Sequence, residues 1–456
     1  MAGRKADLLE TLGAQVQDST PAQRLAYDDV PLQAFHLRAA VASFGGVFSD
    51  GFGLGTIGLV LELATSELQL NSYWLGLLGG GALLGLFFGA LFTGPFIDRF
   101  GRRPVFALNM LLLSVFSGLQ FFVCSSGQLL ALRLIIGFLL GTDYVVSKTL
   151  LTEFTPRAYR GRLMSTLSVA WAGGYACAYF VGYALSSLHT DAWRWMLATS
   201  ALPCLLMVPL RVTLPESPLW LASVGRQAQA LRTAQRCLGS IVDITAPHPA
   251  NQANRLRWTM LFSPRWLRRS IVACVFFTCQ TIPYFAVGTF VARIIKALHV
   301  QGSLTGGVLY NASLLAGAIA GLIIIDRISR RAFLVGSYTL SAAALLLLTI
   351  AESPGPIVTI GLFAVFAAVL SGASNLVYVY LPELFPTGLR GSGIGLAIAS
   401  SRIGSAVSTF LLPVVMRNWG ARLALASCAA VLLGGAAVCY GWAPETRGVR
   451  LDAEAI

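Results

Sequence analysis

Charged residues are scarce in this sequence. Asp, Glu, Lys and Arg make up 12% of its 456 residues, whereas an average soluble chain has about a quarter. Hydrophobic residues account for 56%, and the mean hydropathy is +0.71. A soluble protein could bury so much apolar surface only in several unusually large cores. The composition therefore argues against a soluble enzyme and predicts a chain that spans a membrane.

Several common functional signatures are also missing. The eight cysteines are isolated and form no CxxC pair, so we expect neither a metal site nor a disulfide framework. The four histidines lie far apart and suggest no catalytic group. No GxxxxGK[ST] motif occurs, which argues against direct use of ATP. Residues 1–30 contain no apolar run typical of a secretory signal. We expect a protein that is not an enzyme and has no cofactor.

Long apolar runs fill most of the chain and predict an all-α polytopic membrane protein with twelve transmembrane helices. The first six runs cover approximately 37–61, 72–97, 104–124, 127–150, 163–186 and 193–213. The second six cover approximately 270–292, 303–325, 332–351, 355–381, 391–416 and 420–442. The predicted organisation is a tail (1–36), a first six-helix bundle (37–213), a central loop (214–269), a second six-helix bundle (270–443) and a tail (444–456).

The net charge is +13, and the placement of the basic residues along the chain indicates the membrane topology. Most Lys and Arg residues fall in the two tails, the central loop and the loops on that same side. The other side receives few, namely Arg194, Arg293, Lys296, Arg417 and Arg422. The positive-inside rule then predicts that both termini are cytoplasmic. A nucleic-acid partner is not needed to explain the charge. We expect a monomer in a bilayer, with a bacterial inner membrane favoured.

Three motifs of the first half recur in the same order about 230 residues later, which indicates an internal duplication. They are GPFIDRFGRR (94–103) and LIIIDRISRR (322–331), EFTP (153–156) and ELFP (383–386), and PES (215–217) and PET (444–446). Two parallel six-helix halves are a transporter architecture, with the substrate site between them near the membrane midplane.

These motifs resemble the major facilitator superfamily over about residues 40–450. Within it, PESPLWL (215–221) and PETRG (444–448) are similar to sugar porters and metabolite:proton symporters. The sequence SSRIGS (400–405), with Asp50-Gly51-Phe52, resembles the organic-ion and aromatic-acid branch. Many aromatic-acid symporters have a second acid where this chain has Gly53. The resemblance implies two pseudo-symmetric bundles that transport by alternating access.

The charged motif residues predict a cytoplasmic gate. Acids and arginines at neighbouring helix ends could form a network that ties the two halves together in the outward-open state and breaks in the inward-open state. The resemblance implies the same role. The alternative is that these charges only anchor the loops. The predicted gate residues are Asp98, Arg99, Arg102, Arg103, Glu153, Arg160, Glu216, Asp326, Arg327, Arg330, Glu383, Arg390 and Glu445.

Ionisable residues inside a span are costly, so each is a candidate for function. Asp50 lies about halfway along the first span, and Arg133 lies on the fourth. In sugar-porter-like symporters a helix-1 acid and a helix-4 arginine form the protonation switch, and both positions match here. We expect Asp50 and Arg133 to couple transport to protons. The alternative is a static buried ion pair.

Arg402 is deep in the eleventh span, where similar organic-ion carriers use an arginine to bind anions. On the fourth helix, Gly137, Tyr144 and Lys148 share the polar stripe of Arg133. If Asp50 is neutral or paired, the cavity is net positive, which favours an anion. The predicted substrate-binding residues are Arg402, Tyr144, Lys148, Trp171, Tyr175, Gln280, Tyr284, Asn311, Asn375 and Tyr378.

The predicted function is therefore secondary active transport, as proton-coupled symport of a small organic anion of the carboxylate type. Two alternatives remain open. One is a sugar or polyol proton symporter, although few Gln and Asn amides lie within the spans. The other is a proton-coupled exporter of drugs or organic cations, which Asp50 and Asp143 would serve. A receptor on the same fold is disfavoured because no segment is long enough for a signalling domain.

Overall fold

The chain folds almost entirely into long helices. The computed structural model describes residues 25–187, 191–239, 242–243, 258–298, 302–325, 327–351, 355–385 and 387–446. Within these ranges the one sheet is a two-residue parallel pairing of Leu25–Ala26 with Val242–Asp243. The predicted all-α architecture is confirmed.

The first half contains six membrane crossings. The sixth is divided into two short helices by a break at Ser200. The helices are α1 (Ala34–Leu63), α2 (Ser72–Phe100), α3 (Arg103–Leu119), α4 (Ser126–Phe154), α5 (Arg157–Leu185), α6 (Ala192–Thr199) and α7 (Ala201–Val212). Two short helices follow in the central segment, α8 (Pro218–Ser223) and α9 (Gln227–Leu238).

The second half repeats this arrangement with a different division of its crossings. Its fourth crossing is formed by two helices, and its last two crossings are one long bent helix. The helices are α10 (Pro264–Ala297), α11 (Ser303–Ile324), α12 (Arg330–Ile350), α13 (Pro356–Ala373), α14 (Leu376–Glu383) and α15 (Thr387–Trp442).

Ten stretches of the described helices are long and apolar enough to cross a membrane. One of them, Gly391–Trp442, bends at Gly420, whose φ of +86° favours glycine, and it therefore crosses twice. Helix α5 is less apolar and is not one of the ten, but its 29 residues extend about 43 Å, enough to cross. Counted in this way, the described residues make twelve crossings, as the sequence predicts.

The two halves meet along helices that approach closely. A Cβ atom at Gly80 of α2 would lie 2.8 Å from the carbonyl oxygen of Ala406 on α15. Such small residues allow helix backbones to pack tightly where lipid supplies no hydrophobic driving force. Helix α5 also packs against α11 across the interface. The halves thus contact each other along pairs of helices.

The two ends of the bundle are called the terminal face and the opposite face. The terminal face is the end where α1 begins and α15 ends, beside α8 and α9. At this face the Gln33 side chain donates to the carbonyl oxygen of Leu238, and Tyr27 packs with Trp220 in a small apolar cluster. The opposite face carries the turns between α1 and α2 and between α10 and α11.

A fully buried ion pair lies inside the first half. Asp143 of α4 binds the guanidinium of Arg211 at the end of α7 through both oxygens, one at 3.0 Å. Arg211 also donates to the hydroxyl of Ser147 at 3.1 Å and to the backbone carbonyl of Phe106. Because each charge has several partners, the cost of burying it is largely compensated. Since Arg211 also donates to the carbonyl of Ala42 on α1, the pair joins four transmembrane helices of one bundle: α1, α3, α4 and α7.

Removing one member of this pair leaves the other charge buried and unpaired. Arg211→Met should therefore destabilise the protein by about 3–5 kcal/mol, measured as a lower melting temperature in detergent. The double variant Asp143→Asn/Arg211→Met should recover most of the loss. Arg157→Met, at an exposed position of α5, is the control. A double variant as unstable as Arg211→Met would contradict this account.

Candidate transport site

A cavity lies between the two halves of the protein. Its volume is about 70 Å³, enough for a few water molecules at ~15 Å³ each. It is smaller than a typical ligand pocket of about 300–1,000 Å³, so the halves must separate slightly to admit a metabolite. The lining residues come from α4, α5, α10, α15 and the region of α13 and α14. They are Tyr144, Ser168, Trp171, Phe277, Gln280, Thr281, Tyr284, Phe285, Ser374, Val377, Tyr378 and Arg402.

Arg402 is the main charged group of this cavity. It is 6% exposed, and its guanidinium lies over the rings of Tyr144, Phe277 and Phe285 at 5.2, 5.8 and 5.7 Å. No carboxylate forms an ion pair with Arg402 among the described side chains. Aromatic rings stabilise the cation without occupying its donors. The guanidinium can therefore donate to a ligand in the cavity.

Lys148 adds a second positive charge next to Arg402. Its amino group lies 3.2 Å from the centre of the Tyr144 ring and 4.6 Å from that of Tyr378. Tyr144 belongs to the first half and Tyr378 to the second, so Lys148 bridges the interface through cation–π contacts. A lysine near a helix end can also extend to the membrane surface, but the amino group of Lys148 contacts these two rings instead. Tyr144 thus lies between two cations.

The polar and aromatic walls of the cavity are arranged around these cations. Gln280 donates its amide N–H to the carbonyl of Leu370, while its amide oxygen has no partner. The ring of Trp171 lies 5.7 Å from that of Tyr284 across the interface. The hydroxyls of Ser168 and Ser374 are 3.2 Å apart across the same interface. The cavity therefore offers a free acceptor, hydroxyl groups and a flat apolar wall.

Four predicted substrate-binding residues are not part of the cavity lining: Lys148, which contacts the lining residues Tyr144 and Tyr378, and Tyr175, Asn311 and Asn375. Tyr175 lies behind Trp171 and stacks on it at 5.2 Å. Asn311 donates to the carbonyl of Gly307 within its own helix. Asn375 donates to the carbonyl of Ala318 on the neighbouring helix. These amides serve helix packing instead, because a buried amide needs a partner and the backbone supplies one.

Sequence reasoning missed half of the lining. The missed residues are Ser168, Phe277, Thr281, Phe285, Ser374 and Val377. Small hydroxyl and apolar residues are common throughout membrane helices and give no individual signal. Phe277 and Phe285 are eight residues apart on α10 and thus share a face, which is a weak sign that they act together.

Asp50 and Arg133 do not pair with each other in this conformation, which argues against the static ion pair. Both side chains are buried, but Arg133 donates to the backbone carbonyl of Gly53 at 3.0 Å. Neither carboxyl oxygen of Asp50 has a hydrogen-bond partner. Charged groups that act on Asp50 include Asp143, Arg211, Lys148 and Arg402. Two of these four, Lys148 and Arg402, contact the ring of Tyr144 in the cavity wall.

The charged motifs of the terminal face cap helices within each half. The carboxylate of Glu216 accepts the backbone N–H groups of Arg102 and Arg103 at 3.0 and 3.2 Å, at the start of α3. The carboxylate of Glu445 accepts the N–H groups of Arg330 and Arg331 at 3.0 and 3.1 Å, at the start of α12. Carboxylates are favourable at helix N-termini, where N–H groups lack partners. The two halves therefore share the same helix cap at equivalent positions, as the sequence duplication predicts.

The ion pairs around these caps also stay within one half. Arg102 pairs with Asp98 at 2.9 Å and with Glu153 at 3.4 Å. Arg330 pairs with Glu383 at 3.7 Å. These pairs therefore join helices of the same half. The network that ties the halves together in the outward-open state stays a prediction.

The remaining predicted gate residues have other contacts or lie outside the description. Arg160 pairs with Asp28 at 2.9 Å, and Arg99 contacts the ring of Phe100 at 5.5 Å. Asp326 lies outside the described residues, as does the side chain of Arg390.

The halves are instead tied together at the opposite face. Glu62 at the end of α1 pairs with Arg293 and Lys296 of α10, both at 3.1 Å. Arg293 also donates to the carbonyl of Leu61 at 2.9 Å. Glu62 is not among the gate residues predicted from the sequence. Its position did give a signal. Glu62 ends the first span on the face that has few basic residues, and two of those few, Arg293 and Lys296, follow the seventh span.

Comparison with known proteins agrees with this architecture. The family described as sugar (and other) transporter matches residues 38–454. The inner membrane metabolite transport protein YgcS of Escherichia coli strain K12 is 42% identical over 431 residues, which cover 93% of this chain and 95% of YgcS. The putative metabolite transport protein YaaU of the same bacterium is 35% identical over 428 residues, which cover 93% and 96%.

A solved structure shares the same fold. The partially occluded inward-open conformation of the xylose transporter XylE from E. coli matches with a TM-score of 0.78 at 19% identity, covering 92% of this chain and 100% of that chain. The family match spans nearly the whole chain, and the twelve crossings, duplicated caps and central cavity agree with it. The chain belongs to the sugar (and other) transporter family of the major facilitator superfamily, and it is a multi-pass membrane transporter rather than an enzyme.

Proposed function

We propose that this transporter is a proton-coupled symporter of small organic anions, with a carboxylate as the group it recognises. The observation that carries the proposal is Arg402, a buried guanidinium surrounded by three aromatic rings without a carboxylate partner among the described residues. A buried cation without a counter-ion is costly in a membrane. A substrate carboxylate would supply the missing charge.

The second cation supports this choice. Lys148 contacts the same Tyr144 ring as Arg402, so two positive charges converge on one side of the cavity. A cavity lined by charge of one sign concentrates substrates of the other sign. A cationic substrate would have to overcome this repulsion, which disfavours the exporter of organic cations.

Proton coupling is proposed to act through competition for these cations. When Asp50 is ionised, its carboxylate attracts Lys148 and Arg402 and weakens their hold on the substrate. When Asp50 is protonated, both cations are available to the anion. Its lack of hydrogen-bond partners supports a carboxyl group that changes its protonation state during the cycle. Arg133 would instead support α1 through the Gly53 carbonyl.

The terminal face is proposed to be cytoplasmic, because it carries most of the Lys and Arg residues. The Glu62 cluster then closes the outer face, and the described conformation faces inward. In the outward-facing state Glu62 must separate from Arg293 and Lys296. Relatives from bacteria support an inner-membrane location.

A sugar or polyol is the second candidate substrate. The unpartnered amide oxygen of Gln280 can accept a hydroxyl group in the cavity. The family includes sugar transporters by its description, and the xylose transporter shares the fold. A neutral sugar, however, would leave the charges of Arg402 and Lys148 uncompensated. We therefore favour a substrate that carries a carboxylate.

The proposal can be tested by ligand-dependent melting of the detergent-purified protein. A ligand that binds the folded state raises the melting temperature by mass action. The panel should contain carboxylates, sugars, polyols and organic cations, each measured under mildly acidic and neutral conditions. Stabilisation by sugars or cations, with none by carboxylates, would overturn the anion assignment.

Replacing Arg402 should remove the anion site. Arg402→Ala leaves the aromatic rings but removes the guanidinium donors. The loss of a buried charged hydrogen bond costs about 3 kcal/mol, so we expect carboxylate affinity to fall at least about 100-fold. Melting curves with the stabilising carboxylate measure the change. Arg417→Ala, outside the cavity, is the control. Equal affinity in both variants would refute the assigned role.

Replacing Asp50 should uncouple transport from protons. Asp50→Asn is permanently neutral, so carboxylate binding should become independent of pH, whereas wild-type binding should weaken as pH rises and Asp50 ionises. In proteoliposomes, substrate exchange should persist while accumulation driven by a pH gradient is lost. Asp50→Glu keeps the carboxyl group and should retain some coupling. Wild-type accumulation by Asp50→Asn would exclude Asp50 as the coupling site.

Neutralising Glu62 should loosen the closure of the opposite face. In Glu62→Gln both ion pairs to α10 are lost, and we expect backbone amides at the adjoining ends of α1 and α10 to exchange hydrogen about fivefold faster, since the pairs are worth roughly 1 kcal/mol. The matched control is Glu67→Gln. Glu67 pairs with Arg194 at 2.7 Å within the first half, and hydrogen bonds from Trp193 and Arg194 lower its pKa. Equal acceleration in both variants would show that Glu62 has no special role.

A further inference from the structure

A second opening, separate from the transport cavity, lies on the terminal face of the first half. It is a groove of about 1,080 Å³ where the ends of α1, α2 and α7 meet α8 and α9. Five arginines from separate stretches of the chain line it: Arg38, Arg103, Arg226, Arg232 and Arg236. The positive-inside rule explains basic residues on one side of a membrane, but it does not require them to converge on one groove.

The charge of this groove is not neutralised by the protein within the described residues. None of the five arginines has an ion pair there. Arg38 donates to the Thr213 hydroxyl at 3.1 Å, and Arg103 donates to the carbonyl of Val212 at 3.3 Å. The acid in the described lining, Glu216, is already engaged in capping α3.

Two of the arginines repel each other. Arg232 and Arg236 are one turn apart on α9, and both are exposed. Like charges at this spacing destabilise a helix. An anion bound between them would attract both arginines and so offset their repulsion. Without a ligand the repulsion is offset only by solvent.

The wall of the groove is apolar where it meets the membrane. Phe100 at the end of α2 is 54% exposed, and Val212 at the end of α7 is 49% exposed. Both end transmembrane helices, so they lie at the depth where lipid headgroups begin. The groove thus combines a basic floor with an apolar side open to acyl chains, a pattern found in pockets for anionic lipid headgroups.

We propose that this groove binds one anionic phospholipid. Its phosphodiester lies among Arg232, Arg236 and Arg38, and an acyl chain runs along Phe100 and Val212. The bound lipid fastens α9 to the ends of α1, α2 and α7, and so stabilises the first half. Free phosphate shares the anionic group but lacks the acyl chains, and the apolar wall favours the lipid.

The test compares lipid binding by the full-length protein and two double variants. Arg232→Gln/Arg236→Gln removes two groove charges. Arg157→Gln/Arg162→Gln removes two exposed charges from the start of α5 on the same face and is the matched control. Each protein in detergent is titrated with phosphatidylglycerol, phosphatidylcholine or inorganic phosphate. Melting temperature and the number of lipids retained in native mass spectrometry are measured.

The wild type and the control should be stabilised by phosphatidylglycerol and retain one such lipid. The groove variant should bind it about 30-fold more weakly, because each arginine near the surface contributes about 1 kcal/mol, a factor of about five, to anionic lipid binding. Phosphatidylcholine and inorganic phosphate should have little effect. Equal lipid binding by the two double variants overturns the proposal. Full stabilisation by inorganic phosphate alone also overturns it, because the groove would then be a site for free anions.

Discussion

The structure depends on the cost of placing charge inside a membrane. Each ionised side chain between the helices must meet an opposite charge, a set of hydrogen bonds or an aromatic face. Asp143 and Arg211 satisfy this requirement with each other and hold the first bundle together. Arg402 lies against aromatic rings and has no carboxylate partner within the described residues. This difference separates a charge that serves the fold from one that is available to a ligand.

The duplication explains how such a protein can change shape without unfolding. In each half, a glutamate after the sixth crossing caps the start of the third, Glu216 in the first half and Glu445 in the second. These caps, and the ion pairs of Arg102 and Arg330, join helices within each bundle. The bundles also contact each other around the cavity, and the ion pairs described between them lie at the opposite face, where Glu62 pairs with α10. Motion is therefore expected between the halves and not within them.

Hydropathy, loop charge and the repeated motifs were enough to predict the twelve crossings and two bundles. These features follow from local composition, which the sequence displays directly. The transport site was predicted only in part, because a cavity is formed by residues distant in sequence. Arg402, Tyr144 and Gln280 were found since polar groups in a span are rare, but Phe277 and Ser374 resemble ordinary helix residues. The partner of Asp143 was missed because Arg211 lies at a helix end and resembles a loop charge.

The central claim is that a pH gradient drives a carboxylate through this site. Its most direct test uses proteoliposomes with an alkaline interior and a matched pair of compounds, a carboxylate and the neutral alcohol of the same skeleton. The account predicts that the carboxylate accumulates above its external concentration and that collapse of the pH gradient abolishes the accumulation. The alcohol should not accumulate. Accumulation of the alcohol, or carboxylate uptake that does not respond to the gradient, would contradict the account.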